Sequence, residues 1–275
     1  MDLCVREPQI AKYCGYVGFL KLTFVLLFAA GLLGGMINSL AGGGSFVIFP
    51  ALLFAGVPPV LANASNTYAC LPGYVTGAIG YWKHIAPHKG RLALYCALGL
   101  VGGYLGAEAL MRISDEMFAG IIPWLMAFAV AIYIFGQRIN RFFAARSVGS
   151  QRAARAGAAG LSALLLAISF YGGFFNAGLG IVLLAWLALA GFEDVHAMNG
   201  LKLLISSVIS VVAVMRFAAT GSIAWVEGSV ALAGAMVGGF AAAYFSHLVP
   251  AKVIRGFVIV YGVGLTGYFF WGVYG

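Results

Sequence analysis

The chain alternates between long apolar runs and short charged stretches. Residues 22–82 contain no Asp, Glu, Lys or Arg, and further uncharged runs occupy 92–107, 117–137, 156–192, 203–215, 228–251 and 256–275. None alternates with the two-residue period of a half-buried strand, so the runs predict helices. At 1.5 Å per residue the first run makes about 90 Å of helix, enough for two to three crossings of a 30 Å hydrocarbon core. Gly42-Gly43-Gly44 and Pro58-Pro59 cut it, leaving a piece from Ser45 to Ala55 that is too short to span. A matching short piece, 181–190, follows Gly178-Leu179-Gly180. The pattern predicts an all-α polytopic membrane protein. Its eight full-length helices fall near 20–40, 60–82, 91–111, 117–136, 157–176, 196–218, 226–246 and 253–273, and two short broken or re-entrant half-helices accompany them.

The punctuation repeats. Asn63 and Asn199, Gly102-Gly103 and Gly238-Gly239, Gly120 and Gly256, and Gly136 and Gly272 all lie 136 residues apart. Upstream, Gly34-Gly35 and Asn38 match Gly172-Gly173 and Asn176 at a spacing of 138. In so glycine-rich a chain single matches arise by chance, but a constant offset over some 70 residues does not. The expected organisation is an N-terminal tail (1–18), a first transmembrane repeat (19–136), a basic linker (137–156) and a second repeat (157–275).

Composition sharpens this picture. Of 275 residues, 63% are apolar and only 9% charged, with a mean hydropathy of +0.99. Water-soluble domains run about 45–50% apolar and about 25% charged, so a soluble fold is excluded. The net charge of +8 sits in short basic stretches between apolar runs, the footprint of loops facing anionic lipid rather than of nucleic-acid binding. The linker holds Arg138, Arg141, Arg146, Arg152 and Arg155 and no acid, which places it in the cytoplasm, with loop 83–91 on the same side. The relative sense of the halves stays open: re-entrant short pieces make the repeat parallel, whereas crossing short pieces make it inverted. Residues 1–21 read as the flank of an uncleaved first span rather than as a signal peptide. Cys4, Cys14, Cys70 and Cys96 show no metal-ligand spacing, and Cys70 and Cys96 read as packed small hydrophobes. No cofactor or metal is implied.

Candidate chemistry lies at the breaks. Asn38, Ser39, Gly43, Gly44 and Ser45 surround the first, and Asn176, Gly178 and Gly180 the second. A helix interrupted at membrane depth frees backbone groups that persist only when buried in protein or lining a cavity. The short helix that follows aims free N–H groups and a positive dipole end into the gap, a seat for an anion. The competing reading is that the glycines serve helix packing, as Gly99-x-x-x-Gly103, Gly102-x-x-x-Gly106 and Gly234-x-x-x-Gly238 are expected to do. Asn63 and Asn66 of the first half correspond to Asn199 and Lys202 of the second at the same 136 offset. Lys202 either snorkels to the interface or supplies a countercharge. Asn63 and Asn199 are helix caps, interhelical links or ligand contacts.

The eight acids lie at or near run ends, so no carboxylate is available mid-span to carry a cation or relay a proton. Glu108 and Arg112 are spaced as a helix-surface pair. His84, His88, His196 and His247 fall near loops. Ser45 after three glycines resembles a nucleophile turn but lacks a base within reach, and no enzyme is expected.

Segment 34–50, Gly-Gly-Met-Ile-Asn-Ser-Leu-Ala-Gly-Gly-Gly-Ser-Phe-Val-Ile-Phe-Pro, closely resembles the opening signature of the sulfite exporter TauE/SafE family of permeases. Ala55-Gly56-Val57-Pro58 and Ala62-Asn63-Ala64-Ser65-Asn66 fit as well, and the resemblance runs from about 25 to 273. It implies a secondary transporter for a small anion such as sulfite, a sulfonate or another organosulfur acid, in a bacterial inner membrane. In this reading the two breaks meet near mid-membrane and access alternates around them. The second break is two residues shorter than the first, a departure from the family pattern. Proton coupling and a homodimer stay open. The alternative function is a membrane scaffold or assembly subunit that moves nothing.

Overall fold

The computed structural model describes residues 8–40, 42–144, 151–245 and 251–275, and among these every regular element is helical. The order is α1 (Pro8–Leu40), α2 (Ser45–Phe54), α3 (Pro59–Gly80), a short α4 (Trp82–Ile85) with a single 3-10 turn after it, α5 (Lys89–Met111) and α6 (Asp115–Ala144). Then follow α7 (Gln151–Phe174), α8 (Leu179–Leu189), α9 (Val195–Ala219), α10 (Trp225–Phe245) and α11 (Ala251–Tyr274). Both short helices and all eight long ones stand where the apolar runs put them. Helix extends further than expected at the linker, since α6 continues to Ala144 and α7 begins at Gln151. Likewise α1 begins inside the expected tail.

Among the described residues, six helical segments are long and apolar enough to cross a membrane: Lys21–Ser39, Trp82–Met111, Asp115–Ile132, Gly157–Phe174, Val195–Ala219 and Gly256–Tyr274. The eight-span expectation therefore holds in part. Helix α3 is diluted by Asn63, Ser65, Asn66 and Thr67. In α10 the apolar stretch Trp225–Ala241 is one of the shorter segments.

Packing fixes the direction of each helix. A Cβ on Gly34 would meet the Ile48 side chain and one on Gly44 the Gly34 carbonyl, so α2 doubles back along α1. Gly172 lies against Leu179 in the same way, where α8 doubles back along α7. Gly102 and Gly106 of α5 sit on the Leu166 and Phe170 carbonyls of α7; Gly234 and Gly238 of α10 sit on the Phe28 and Leu32 carbonyls of α1. These are the close packings that the spaced glycines predict. In both pairs numbers rise together, so α1 is parallel to α10 and α7 to α5. Helix α9 runs against α3 (Leu203 beside Gly77, Gly200 beside Tyr81) and along α5 (Val208 beside Gly99, Arg216 beside Glu108). Because Asn38 lies beside Gly73 and Ile48 beside Gly34, α1 and α3 rise together. It follows that α1 and α7 run in opposite senses.

Candidate functional site

The two breaks are built from different backbone devices. At the end of α1, the Gly42 N–H bonds the carbonyls of Ile37 and Asn38 at 3.1 and 3.2 Å, with Gly42 at φ +67°. This left-handed cap closes a helix, and a Cβ there would cost about 1–2 kcal/mol. After α7, Gly178 takes the same role from the other direction, heading α8 at φ +77°. The carbonyls freed by that break are met by side chains. Asn63 Nδ2 donates to Phe174 O at 2.8 Å, and the Tyr171 hydroxyl donates to Ala177 O at 2.6 Å. Asn63 is thus an interhelical link rather than a cap of its own helix. The cap of α9 is Asp194, whose carboxylate accepts from the backbone N–H groups of His196 and Ala197.

Lys202 stands between the two breaks. Its side chain is buried, 7% exposed, in contrast with the snorkelling reading. A Cβ on Gly42 would lie 3.9 Å from its Nζ, and one on Gly180 would lie 3.3 Å from its Cδ. The ammonium donates to Asn199 Oδ1 at 3.2 Å. Among the described residues no carboxylate pairs with it.

A second group of polar side chains joins the same two breaks through α3. Ser45 Oγ lies 3.6 Å from Cys70 Sγ, which lies 3.8 Å from Asn66 Oδ1. The Tyr74 hydroxyl donates to Asn176 Oδ1 at 3.4 Å and is within reach of Ser45 and Cys70. Ser45 heads α2, and Asn176 lies three residues before the start of α8. So Gly42, Lys202 and Gly180 form one connection between the breaks, and Ser45, Tyr74 and Asn176 form the other. Several buried polar atoms remain without a partner: Asn63 Oδ1, Asn66 Nδ2, Asn176 Nδ2 and the hydroxyls of Ser169, Ser206 and Ser210. Burying such groups unpaired costs about 1–3 kcal/mol each; of these, Asn63, Asn66 and Asn176 adjoin the breaks, whereas Ser169 packs against Gly102 of α5.

Not every expected residue joins the cluster. Ser39 is exposed and faces Gly239 of α10. The missing side chain of Gly44 makes room for Gly34 and Asn38 rather than for a guest, and Gly43, at φ +140°, serves the turn. Asn38 is half-buried, its Nδ2 3.9 Å from where a Gly73 Cβ would stand.

Other residues were missed by the reading of the sequence. Cys70 is no mere packing residue: it lies in the polar chain between Ser45 and Asn66. Tyr74, Ser206 and Ser210 complete two polar stripes, Asn63, Asn66, Cys70 and Tyr74 on α3 and Asn199, Lys202, Ser206 and Ser210 on α9, all buried except the half-buried Asn199. Each member of the second lies 136 residues after its counterpart in the first. The same offset, followed past the asparagines, would have found them.

At the ends of α9 lie two charged groups. The rings of His84 and His196 lie tilted against each other with centroids 5.0 Å apart, and His84 Nδ1 lies 3.8 Å from Asp194. At the far end Glu108 takes Arg112 at 3.0 Å, as its spacing predicts, and also Arg216 at 2.6 Å, a partner 108 residues away.

Comparisons with known proteins agree with this architecture. The chain is 28% identical over 242 residues to the "Probable membrane transporter protein YfcA" of Escherichia coli K12, covering 86% of this chain and 85% of that one. It is 25% identical over 244 residues to a "Probable membrane transporter protein" of Haemophilus influenzae, covering 88% and 92%. A Sinorhizobium "Probable membrane transporter protein ORF9" is 26% identical over 242 residues, covering 87% and 89%. No solved structure matches the chain significantly. The family model described as "Sulfite exporter TauE/SafE" matches residues 27–269, nearly the whole sequence, and the chain therefore belongs to the TauE/SafE family of membrane transporters.

Proposed function

We propose that this protein is a secondary transporter for a small anion, such as sulfite, a sulfonate or another organosulfur acid, held where the two broken helices meet. The observation that carries the reading is Lys202, a buried cation lodged between Gly42 and Gly180 with no acidic partner among the described residues. An unpaired charge in a low-dielectric setting is costly, and an anion arriving between the breaks relieves it. The first turns of α2 and α8 add positive dipole ends, and Asn66 and Asn176 add unused amide donors.

The two halves read as an inverted duplication. Helix α1 pairs with α10 as α7 pairs with α5, the short helices double back in both halves, and the polar stripes of α3 and α9 correspond residue for residue at one constant sequence offset. Such an arrangement supports alternating access by rocking of one half against the other around a fixed site. The linker side, with loop 83–91, is assigned to the cytoplasm of a bacterial inner membrane.

Uptake and efflux of labelled sulfite and sulfonates in vesicles tests the reading, comparing the native chain with Asn38→Ala and Lys202→Ala. The expected result is transport by the native chain and its loss in Lys202→Ala. Native-rate transport by both variants would remove this site.

A further inference from the structure

We infer that the site between the breaks accepts an anion bearing one negative charge and turns away one bearing two, with Lys202 setting the limit. This rests on the anion-transport reading and narrows its substrate class. Among the described residues, Lys202 is the one cationic side chain found between the breaks. The next cationic side chain along α9, Arg216, is fourteen residues away, about 21 Å of helix, and is committed to Glu108. At the position equivalent to Lys202 in the first half stands Asn66, an amide and not a second lysine. The other unpaired groups, Asn66 Nδ2, Asn176 Nδ2 and the Ser206 and Ser210 hydroxyls, offer hydrogen bonds without charge.

The electrostatics then decide. A monoanion against the Lys202 ammonium makes a neutral buried pair, and the amides and hydroxyls satisfy its remaining oxygens. A dianion leaves one uncompensated negative charge in the same dry surroundings, where an unpaired ion is strongly disfavoured. An excess charge so enclosed is not screened as it would be in water.

Methanesulfonate and sulfate have the same tetrahedral shape and differ by one charge, so they separate charge from size. Binding of each to the purified full-length chain in nanodiscs is measured by calorimetry at constant ionic strength. Methanesulfonate is expected to bind at least about tenfold more tightly than sulfate, since a whole unit of charge is left unpaired in the second case. Lys202→Gln is expected to weaken methanesulfonate at least about tenfold, and Lys202→Arg to keep it within about threefold. Asn66→Lys, which adds a cation at the equivalent position, is expected to raise sulfate affinity relative to methanesulfonate, and it carries the test if Lys202→Gln does not fold. Equal binding of the two anions by the native chain overturns the inference and leaves the transport reading standing. So does an unchanged preference in both Lys202→Gln and Asn66→Lys. Binding of neither anion, with neither carried in vesicles, overturns the transport reading itself.

Discussion

Individual side chains here settle the debts of broken helices. Asn63 and Tyr171 meet the carbonyls stranded after α7, and Asp194 meets the N–H groups that α9 leaves free. Asp194 is the one among these that titrates outside the spans. Its carboxyl is held below the ordinary value of 3.8, first by the hydrogen bond from the His196 N–H, which desolvation opposes, with Ala197 and the two neighbouring histidines adding smaller lowering effects. A carboxyl depressed in the fold favours the folded state fully above its unfolded value, and that contribution fades as pH falls through the lower folded one. Thermal unfolding in detergent is therefore expected to show a loss of midpoint below about pH 4 that is shallower in Asp194→Asn. Asparagine still caps the helix but does not titrate there. Parallel curves for the two proteins would show that the cap carries no charge-dependent stability.

Elements were the most legible level of this sequence, and their partners the least. The lengths of the apolar runs, cut by Gly42-Gly43-Gly44 and by Gly178, place all ten principal helices because each break is a local event. Which helix a glycine packs against is a long-range matter: the partners of Gly106 lie more than sixty residues away, and nothing in the spacing names them. Cys70 misled for a related reason, since its polarity shows only once Ser45 and Asn66 are beside it. The Glu108–Arg216 pair was hidden behind the nearer Arg112. Packing at the glycines makes its own prediction. A Cβ at Gly106 would overlap the Phe170 carbonyl and one at Gly238 the Leu32 carbonyl, backbone atoms that cannot turn aside. Gly106→Ala and Gly238→Ala are each expected to destabilise the fold by about 1–3 kcal/mol, as overpacking does. Gly264→Ala meets nothing within 4 Å and is expected to be neutral or slightly stabilising. Thermal midpoints of the three variants in one detergent check this, and equal midpoints would show that the helices are not in backbone contact there.

At the scale of the molecule, α9 is the element of the second half that the first half holds at both ends. Its start is tied to the segment after α3, through the His84–His196 ring contact and the His84–Asp194 pair. Its end is tied to α5, through Arg216 to Glu108 and Thr220 Oγ1 to Met111 Sδ at 3.3 Å. Helix α9 carries Lys202 between these ties, so an anion lodged there is enclosed while both hold. Rocking of one half on the other requires that one set opens while the other stays closed. A covalent bond in place of one tie should then stop the cycle without emptying the site. Met111→Cys with Thr220→Cys, oxidised in vesicles, is expected to abolish transport and to restore it on reduction. Binding of methanesulfonate to the oxidised protein from the His84 side is expected to persist. The single variants report any effect of the substitutions themselves. Full transport by the cross-linked protein would mean that α9 and α5 never separate. The path would then have to open elsewhere than at the end of the α9 stripe.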